Sequence, residues 1–589
     1  MSTFKTQINS IYDQIEAEPL HPVWLCLVPR DQALERANHI EGFPLAGMTF
    51  AIKDNIDYAG LPTTAACPAY SYQPEATAPV VKALEAAGAI LIGKTNMDQF
   101  ATGLVGTRSP HGACSSIYSD KYISGGSSSG SAIAVAKDLV TFSLGTDTAG
   151  SGRVPAAFNN LIGLKPSKGL LSTTGVVPAC RTLDCVSIFT RTIEDAQAVY
   201  KAAAQPDPTD PYSRTGKTAA PWLNAETFNF GVPQPHQLEF FGDEAAAELY
   251  AKAITNLEAQ GGTKVVIDFD VFKETAALLY SGPWVAERLA AIEPFAQAHP
   301  EEIHPVVRAI ITGATKYSAV DTFRAHYKLQ ALISKAANEW KKMDVLFLPT
   351  TGTTYTIDEV NADPIKLNTN LGYYTNFVNL MDLAAVAIPA GFRKNGLPFG
   401  VSFIGPAFTD EALLFVANRL LRSTTHPAST THPVSTTPTP ATTPTLPSRD
   451  RQGAVSPAPA CITIAVVGAH LRNQPLNWQL SNRNARYIET RKTSPNYRLY
   501  SLKNTHPPKP GLERDDDFKG PGIELELWSI PESEFGCFVA AIPPPLGIGT
   551  VTLDDNSEVK CFIAEPYALR SAEEISHFGG WRNYLSRKS

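Results

Sequence analysis

Three polar residues of this 589-residue chain have types that could together activate a nucleophile: Lys53, Ser127 and Ser151. A serine hydroxyl becomes a good nucleophile when a neighbouring base takes its proton, and a lysine can be that base when burial favours its neutral form. Lys53 follows the apolar run 48–52, which predicts a buried strand that carries the lysine stem into the interior. The pattern indicates hydrolysis by a serine nucleophile.

Both serines lie in Gly/Ser-rich segments next to apolar ones. Ser127 lies in segment 125–131, which runs into the apolar segment 132–136, a predicted buried helix. Ser151 lies in segment 145–153 after a predicted strand, and glycines there let the backbone approach a ligand closely. Taken singly, each motif equally fits a solvated lysine or an ordinary loop. Their combination favours a catalytic site.

At these residues the chain resembles the amidase signature family of Ser-cisSer-Lys amide hydrolases, and the interval from Ser127 to Ser151 (151 − 127 = 24) matches the family's motif. The resemblance covers the predicted amidase domain, residues 1–422. It implies that Ser151 is the nucleophile, Ser127 a bridging serine beside a cis peptide, and Lys53 the base, with no metal or cofactor. It also implies an oxyanion hole formed by the backbone amides of Thr148, Ala149, Gly150 and Ser151.

Three features resemble the allophanate hydrolase branch of this family: Ser129, the segment 149–155 and the segment 280–288. By that resemblance, Tyr280 and Arg288 bind a substrate carboxylate, for which an arginine fork is well suited. The residues alone equally allow an amphipathic helix with Arg288 on its wet side, since positions eight apart lie near one helix face.

The branch resemblance implies a function, partners and an assembly. The implied function is hydrolysis of allophanate to ammonia and CO2 in urea degradation. The implied partner is a separate biotin-dependent urea carboxylase, as a functional link, and the implied assembly is a homodimer. Two alternatives keep the amidase chemistry: a broad-specificity amidase and the amidase component of a transamidating complex. A third is an inactive assembly scaffold, against which the intact set of lysine and two serines argues.

The order of apolar segments predicts an α/β fold with a mixed central sheet for residues 1–422, because short strand patterns alternate with helical ones. Residues 423–459 are dominated by Thr, Pro, Ser and Ala, which predicts an extended linker; its histidines lack companions for a metal. Residues 460–589 alternate apolar and polar positions, which predicts a small α+β strand-rich barrel. This part resembles the C-terminal domain found with many allophanate hydrolases, whose fold is similar to γ-glutamyl cyclotransferase.

His470 follows the first predicted strand of that second domain, in a Gly-Ala-His motif. The resemblance implies a part in decarboxylating the product, N-carboxycarbamate, and a histidine can donate a hydrogen bond or shuttle a proton near neutral pH. A histidine that caps a loop fits the same position. Arg472, Asn477 and Arg498 are candidate anion-binding companions.

The amino-acid composition indicates which partners and which cellular compartment to expect. With 43% hydrophobic residues the chain can bury a large core, and a net charge of −7 without a basic face argues against nucleic acid. The eight cysteines form no Cys-x-x-Cys pair, which indicates reduced and mostly buried thiols. With neither a signal-peptide pattern nor a membrane-length apolar run, we expect a cytoplasmic protein without membrane contact.

Overall fold

The structure, a computed structural model, describes residues 3–17, 22–216, 220, 227–423 and 461–587, the last range with gaps at 473, 482, 484, 504, 506, 532–534, 536–537, 540–541 and 543–544. The chain divides into two units, Met1–His432 and Pro433–Ser589. The predicted linker 423–459 lies outside the described residues except for Ser423. The domain boundaries at 422 and 460 therefore stay a prediction.

The first unit contains thirteen described strands: β1 (Trp24–Leu27), β2 (Thr49–Lys53), β3 (Ile90–Thr95), β4 (Ser115–Ser116), β5 (Ser119–Ile123), β6 (Phe142–Asp147), β7 (Ile162–Lys165), β8 (Cys185–Thr190), β9 (Phe228–Pro233), β10 (Gly262–Ile267), β11 (Val345–Pro349), β12 (Leu383–Phe392) and β13 (Pro398–Pro406). Eleven of them form one sheet, in the order β1-β3-β2-β6-β8-β7-β12-β13-β11-β9-β10, and β4 pairs with β5. Strands β3, β2 and β6 are parallel neighbours, whereas β6, β8, β7, β12 and β13 pair antiparallel in succession. The predicted mixed central sheet is confirmed.

The α-helices described in this unit are α1 (Thr3–Ala17), α2 (Arg30–Arg36), α3 (Pro79–Ala86), α4 (Ser129–Ala136), α5 (Val154–Phe158), α6 (Ile193–Ala203), α7 (Glu244–Ala259), α8 (Asp270–Ser281), α9 (Trp284–Ala298), α10 (Pro305–Thr312), α11 (Ala319–Trp340), α12 (Ile357–Ala362), α13 (Lys366–Leu371), α14 (Phe377–Leu380) and α15 (Asp410–Ser423). Helix α4, predicted to be buried after the first serine loop, is buried along nearly its whole length. Among the described residues, no helix is both long enough and apolar enough to cross a bilayer.

The strands β2 and β6 place the lysine and the second serine loop at one edge of the sheet. All residues of both strands are buried, and the ring of Phe50 stacks on that of Phe142 at 5.1 Å. In the parallel register Ile52 pairs with Leu144, so Lys53 ends β2 beside the last residues of β6. Because the carboxyl ends of parallel strands meet at one edge, this arrangement brings Lys53 towards the loop that carries Ser151.

The second unit contains strands β14 (Cys461–Val466), β15 (Arg486–Lys492), β16 (Tyr497–Ser501), β17 (Pro510–Arg514), β18 (Glu524–Pro531), β19 (Leu546–Thr552), β20 (Glu558–Ala564) and β21 (Glu573–Glu574), with helices α16 (Trp478–Ser481), α17 (Pro566–Leu569) and α18 (Trp581–Ser586). They form a five-stranded sheet, β15-β18-β14-β20-β19, and a three-stranded sheet, β17-β16-β21. The strand-rich prediction is confirmed. Within the described residues, backbone pairing yields two sheets rather than one closed barrel, and the cyclotransferase likeness stays a prediction.

Most of the cysteines that the structure describes are buried, as the sequence predicted: Cys67, Cys114, Cys180, Cys185 and Cys561. They act as small apolar side chains of the core.

Candidate active site

Lys53, Ser127 and Ser151 form one buried line of contacts. Lys53 Nζ lies 2.7 Å from Ser127 Oγ, and Ser127 Oγ lies 3.0 Å from Ser151 Oγ. The predicted cis peptide beside Ser127 is present, at the Gly126–Ser127 bond. Both distances are within reach for proton transfer, so the line can carry a proton from the outer serine to the amine.

The amine of Lys53 has the electrostatics of a base. Burial lowers the pKa of Lys53 from its ordinary value to about 7, against the opposing effect of nearby carboxylates, chiefly Asp98. Lys53 Nζ also donates to Thr146 Oγ1 at 2.8 Å. A neutral amine that donates to Thr146 keeps its lone pair for a proton from Ser127. Sequence reasoning missed Thr146, although its position in the segment 145–153 was a signal.

A buried ion pair shapes the loop that carries the second serine. Arg153 Nε and Nη2 donate to the two carboxylate oxygens of Asp147, each at 2.9 Å. The same carboxylate accepts the amides of Gly150 at 2.9 Å and Gly152 at 3.0 Å. Burial works against ionisation, but the Arg153 guanidinium holds the pKa of Asp147 below its usual range. The loop that carries Ser151 is therefore held by the buried pair Asp147 and Arg153. The sequence analysis did not single out either residue.

The predicted oxyanion hole needs one correction. The Gly150 amide donates to Asp147 and is not available to a ligand. In the described part of the chain, the amides of Thr148, Ala149 and Ser151 make no hydrogen bond. Gly150 has φ +140°, and a Cβ there would lie 2.5 Å from Thr375 Oγ1, so only glycine fits.

Thr148 is held by a second buried carboxylate. Its hydroxyl donates to Asp184 Oδ1, which also accepts the Cys180 amide at 3.2 Å, while Oδ2 accepts the Ala179 amide at 2.9 Å. Asp184 thereby joins the nucleophile loop to the segment before β8. A cavity of about 410 Å³ is lined in part by Asp184 and by Trp284 at the start of α9, but not by Lys53, Ser127 or Ser151.

A third buried carboxylate, that of Asp98, binds backbone amides of the segment 103–108, which contacts Ser151. Asp98 accepts the amides of Val105, Gly106 and Arg108, at 3.3, 3.0 and 2.9 Å. Within this segment the carbonyl oxygen of Gly103 lies 3.4 Å from Ser151 Oγ. Sequence reasoning missed this segment.

Tyr280 and Arg288 lie on two different helices. Tyr280 belongs to α8 and Arg288 to α9, with Gly282 and Pro283 between them. Arg288 is only 3% exposed, so the alternative of a solvated position on a continuous surface helix is wrong. The guanidinium lies 5.6 Å from the centre of the Tyr280 ring, close enough for a cation–π contact. The pair is thus brought together, by a helix break rather than by helical periodicity.

The Arg288 guanidinium has unused hydrogen-bonding capacity. Its Nη1 donates to Thr102 Oγ1 at 3.2 Å. Its buried Nε has no hydrogen-bond partner among the residues that the structure describes. A buried cation without an anionic partner is costly, and a ligand carboxylate would satisfy it.

His470 lies in the second unit in an aromatic environment. Its ring stacks on Phe562, with centres 4.8 Å apart, and Nε2 lies 2.7 Å from Gln479 Oε1. Burial lowers the pKa of His470 to about 4, so the ring is neutral at pH 7. Proton shuttling near neutral pH, considered from the sequence, does not fit this environment.

The predicted companions of His470 have separate partners. Asn477 Nδ2 donates to the His470 carbonyl at 2.7 Å, whereas Arg472 pairs with buried Glu526 at 3.0 Å. Arg498 pairs with Asp515 at 2.6 Å. Only Asn477 contacts His470, and both arginines are already neutralised.

Comparisons with known proteins agree with this fold. The amidase family model matches residues 8–414, and the model of the allophanate hydrolase C-terminal domain matches residues 462–586. The chain therefore belongs to the amidase family, and its second unit is an allophanate hydrolase C-terminal domain.

Three particular proteins illustrate the relationship. A urea amidolyase from Lachancea kluyveri is 45% identical over 99% of this chain, which spans only 32% of that relative's length. The structure of an allophanate hydrolase from Kluyveromyces lactis matches with a TM-score of 0.70 and 42% identity, covering 100% of this chain and 98% of the other. A glutamyl-tRNA(Gln) amidotransferase component from Endomicrobium trichonymphae is 31% identical over 64% of this chain and 83% of its own length.

Proposed function

We propose that the chain hydrolyses allophanate in urea degradation, with Ser151 as nucleophile, Ser127 as proton relay and Lys53 as base. The observation that carries the proposal is the buried line Lys53–Ser127–Ser151, with contacts of 2.7 and 3.0 Å and a lysine pKa of about 7. A lysine with that pKa is present in both protonation states near neutral pH. A group that first acts as a general base and later as a general acid needs access to both states.

Acylation begins when Ser151 attacks the terminal amide carbon of allophanate. Its hydroxyl proton passes to Ser127 as the Ser127 proton passes to Lys53. The amides of Thr148, Ala149 and Ser151 are the donors available to the oxyanion, since that of Gly150 is bonded to Asp147. The proton then returns through Ser127 to the leaving nitrogen, the C–N bond breaks, and ammonia departs.

Deacylation uses the same relay. Water gives a proton through Ser127 to Lys53 and attacks the acyl carbon, and the ester bond to Ser151 breaks as that serine regains a proton. The product is N-carboxycarbamate, whose loss of CO2 and hydrolysis give ammonia and CO2 overall.

Arg288 and Tyr280 would bind the carboxylate at the other end of allophanate. The support is the burial of Arg288, its unpartnered Nε and the adjacent aromatic ring. Relatives named urea amidolyase and allophanate hydrolase support the same substrate. The likeness to an amidotransferase component keeps glutamine as the alternative substrate to be tested.

A functional link to a biotin-dependent urea carboxylase, which makes allophanate, forms part of the proposal. It is supported by the match to the much longer urea amidolyases. A separate carboxylase chain, a homodimer and a cytoplasmic location stay predictions. The same holds for decarboxylation by the second unit, in which His470 would act as a neutral hydrogen-bonding group.

The test is ammonia release from allophanate by the purified chain, with malonamate, biuret and glutamine as competitors. We expect Ser151→Ala to abolish turnover and Arg288→Ala to raise KM for allophanate roughly 10–100-fold, as for a lost charged hydrogen bond. Arg324→Ala is the matched control, because that arginine is exposed on α11. Preference for glutamine, or an unchanged KM in Arg288→Ala, would reject the proposal.

A further inference from the structure

We infer that Thr102 is a positioning residue, which holds Arg288 at a fixed distance from Ser151 and so selects the length of the substrate acid. The inference rests on the proposed function, because it assigns a cause to the specificity of the same site. It goes beyond that function in naming which residue determines the accepted distance between carboxylate and amide.

The side chain of Thr102 has both of its hydrogen-bonding roles fixed. Its hydroxyl donates to the carbonyl oxygen of Phe100 at 3.1 Å, and its oxygen accepts from Arg288 Nη1 at 3.2 Å. Since the hydroxyl proton is engaged by Phe100, a lone pair faces the guanidinium. Thr102 Oγ1 is the one hydrogen-bond acceptor of Arg288 in the described part of the chain.

The backbone of Thr102 is also anchored. Its carbonyl oxygen accepts from Arg108 Nη1 at 2.9 Å, and Arg108 Nη2 donates to the carbonyl of Pro364 at 2.6 Å. Arg108 is itself buried, and its amide is bonded to Asp98. Thr102 is therefore anchored through its backbone as well as its side chain, and it makes a firm support for Arg288.

The next residue contacts the nucleophile. The carbonyl oxygen of Gly103 lies 3.4 Å from Ser151 Oγ. Gly103 has φ +156°, and a Cβ would lie 2.6 Å from Asp98 Oδ2, so its backbone is closely confined. Adjacent Cα atoms are about 3.8 Å apart. One dipeptide thus contacts both Arg288 and Ser151, and it sets the distance between the anion-binding group and the reacting group.

A fixed distance between Arg288 and Ser151 would discriminate between substrates of different length. Allophanate and malonamate both place one atom between the amide carbon and the carboxylate carbon, whereas succinamate places two. A guanidinium held by Thr102 can meet the carboxylate at only one of these separations. Without the hydroxyl acceptor, Arg288 keeps its charge but loses its fixed orientation, and discrimination by length should decline.

The experiment compares Thr102→Val, which keeps the shape and removes the acceptor, with Thr102→Ser, which keeps the hydroxyl. Both are assayed with malonamate, succinamate and biuret, the last being a neutral analogue of allophanate. We expect Thr102→Val to lower kcat/KM for malonamate roughly 10–100-fold, as for loss of a hydrogen bond to a charged group. The loss should lie mainly in KM, activity on biuret should be retained, and the malonamate-to-succinamate ratio should fall. Thr102→Ser should restore the wild-type pattern.

Two outcomes would overturn the inference: an unchanged malonamate-to-succinamate ratio in Thr102→Val, or an equal loss on biuret, which indicates a general structural role. Thermal unfolding of each variant checks that the fold is intact, and the substrate ratio stays informative even if total activity drops. Failure of the proposed function is distinguishable, because it would appear in the wild-type protein as no preference for amides that carry a carboxylate.

Discussion

Thr146 Oγ1 lies 2.8 Å from Lys53 Nζ, across the parallel strands β6 and β2. This contact occupies one N–H of the amine. The lysine is therefore oriented by the sheet itself, and its amine also lies 2.7 Å from Ser127 Oγ. Base and relay are aligned before any substrate binds.

The rate should depend on pH through Lys53. Because burial lowers the pKa of Lys53 to about 7, the neutral amine predominates above that pH and is lost below it. We expect kcat/KM for malonamate to fall about tenfold per pH unit below pH 7 and to level off above it. A pH–rate profile measures this. Lys53→Arg, which cannot deprotonate, should be inactive throughout; a profile flat between about pH 5.5 and 9 would contradict the assignment.

The same lysine should make stability depend on pH. Its pKa falls from 10.5 to about 7 on folding, so between these values the unfolded chain binds the extra proton and wild-type stability rises with pH. We expect Lys53→Met to be relatively most stable at or below pH 7, and its advantage to shrink by about 1.4 kcal/mol per pH unit above it. Urea unfolding at several pH values tests this, with the exposed Lys341→Met as control. A difference independent of pH would show that Lys53 is charged in the folded state.

Removing Arg153 should be far more damaging than removing a surface arginine. Arg153→Met leaves Asp147 buried without its counter-ion, which typically costs about 3–5 kcal/mol. Activity should fall too, since Arg153 no longer fixes the orientation of the carboxylate that accepts the loop amides of Gly150 and Gly152. The double variant Asp147→Asn/Arg153→Met should recover part of the lost stability, as coupled residues do. A loss below about 1 kcal/mol, typical of exposed pairs, would be incompatible with the buried geometry.

His470 should remain neutral over the physiological range. Burial lowers its pKa to about 4, so its NMR resonances should show no titration midpoint between about pH 5.5 and 8. The variant His470→Gln identifies which resonance belongs to this ring. A midpoint near 6.5, the ordinary value for histidine, would restore the proton-shuttle role.

The sequence predicted the parts of the site that local pattern encodes. The apolar run before Lys53 and the two Gly/Ser-rich segments are visible in a single chain. Strand β2 lies within one residue of that run, and β6 ends inside the second segment. By contrast, the contact of Thr102 with Arg288 spans 186 residues, and nothing in a single sequence signals such a pairing. The buried carboxylates were missed for the same reason, because an aspartate in a loop looks the same whether it binds solvent or backbone amides.

The helix break between Tyr280 and Arg288 was signalled but not used. Gly282 and Pro283 interrupt the helical pattern, and proline is well tolerated at a helix start but not inside one. The alternative of a single amphipathic helix placed Arg288 on a surface, whereas the structure has a break before α9 and Arg288 is buried.

The basicity of Lys53 is a property of its surroundings more than of the residue. Its pKa is low because water is excluded, while the nearby carboxylates favour the charged form. Any opening that wets the amine therefore moves the pKa towards 10.5 and protonates it. Lys53 is 0% exposed, so a substitution in the surrounding core that admits water to the amine should weaken the base without altering any of the three reacting side chains.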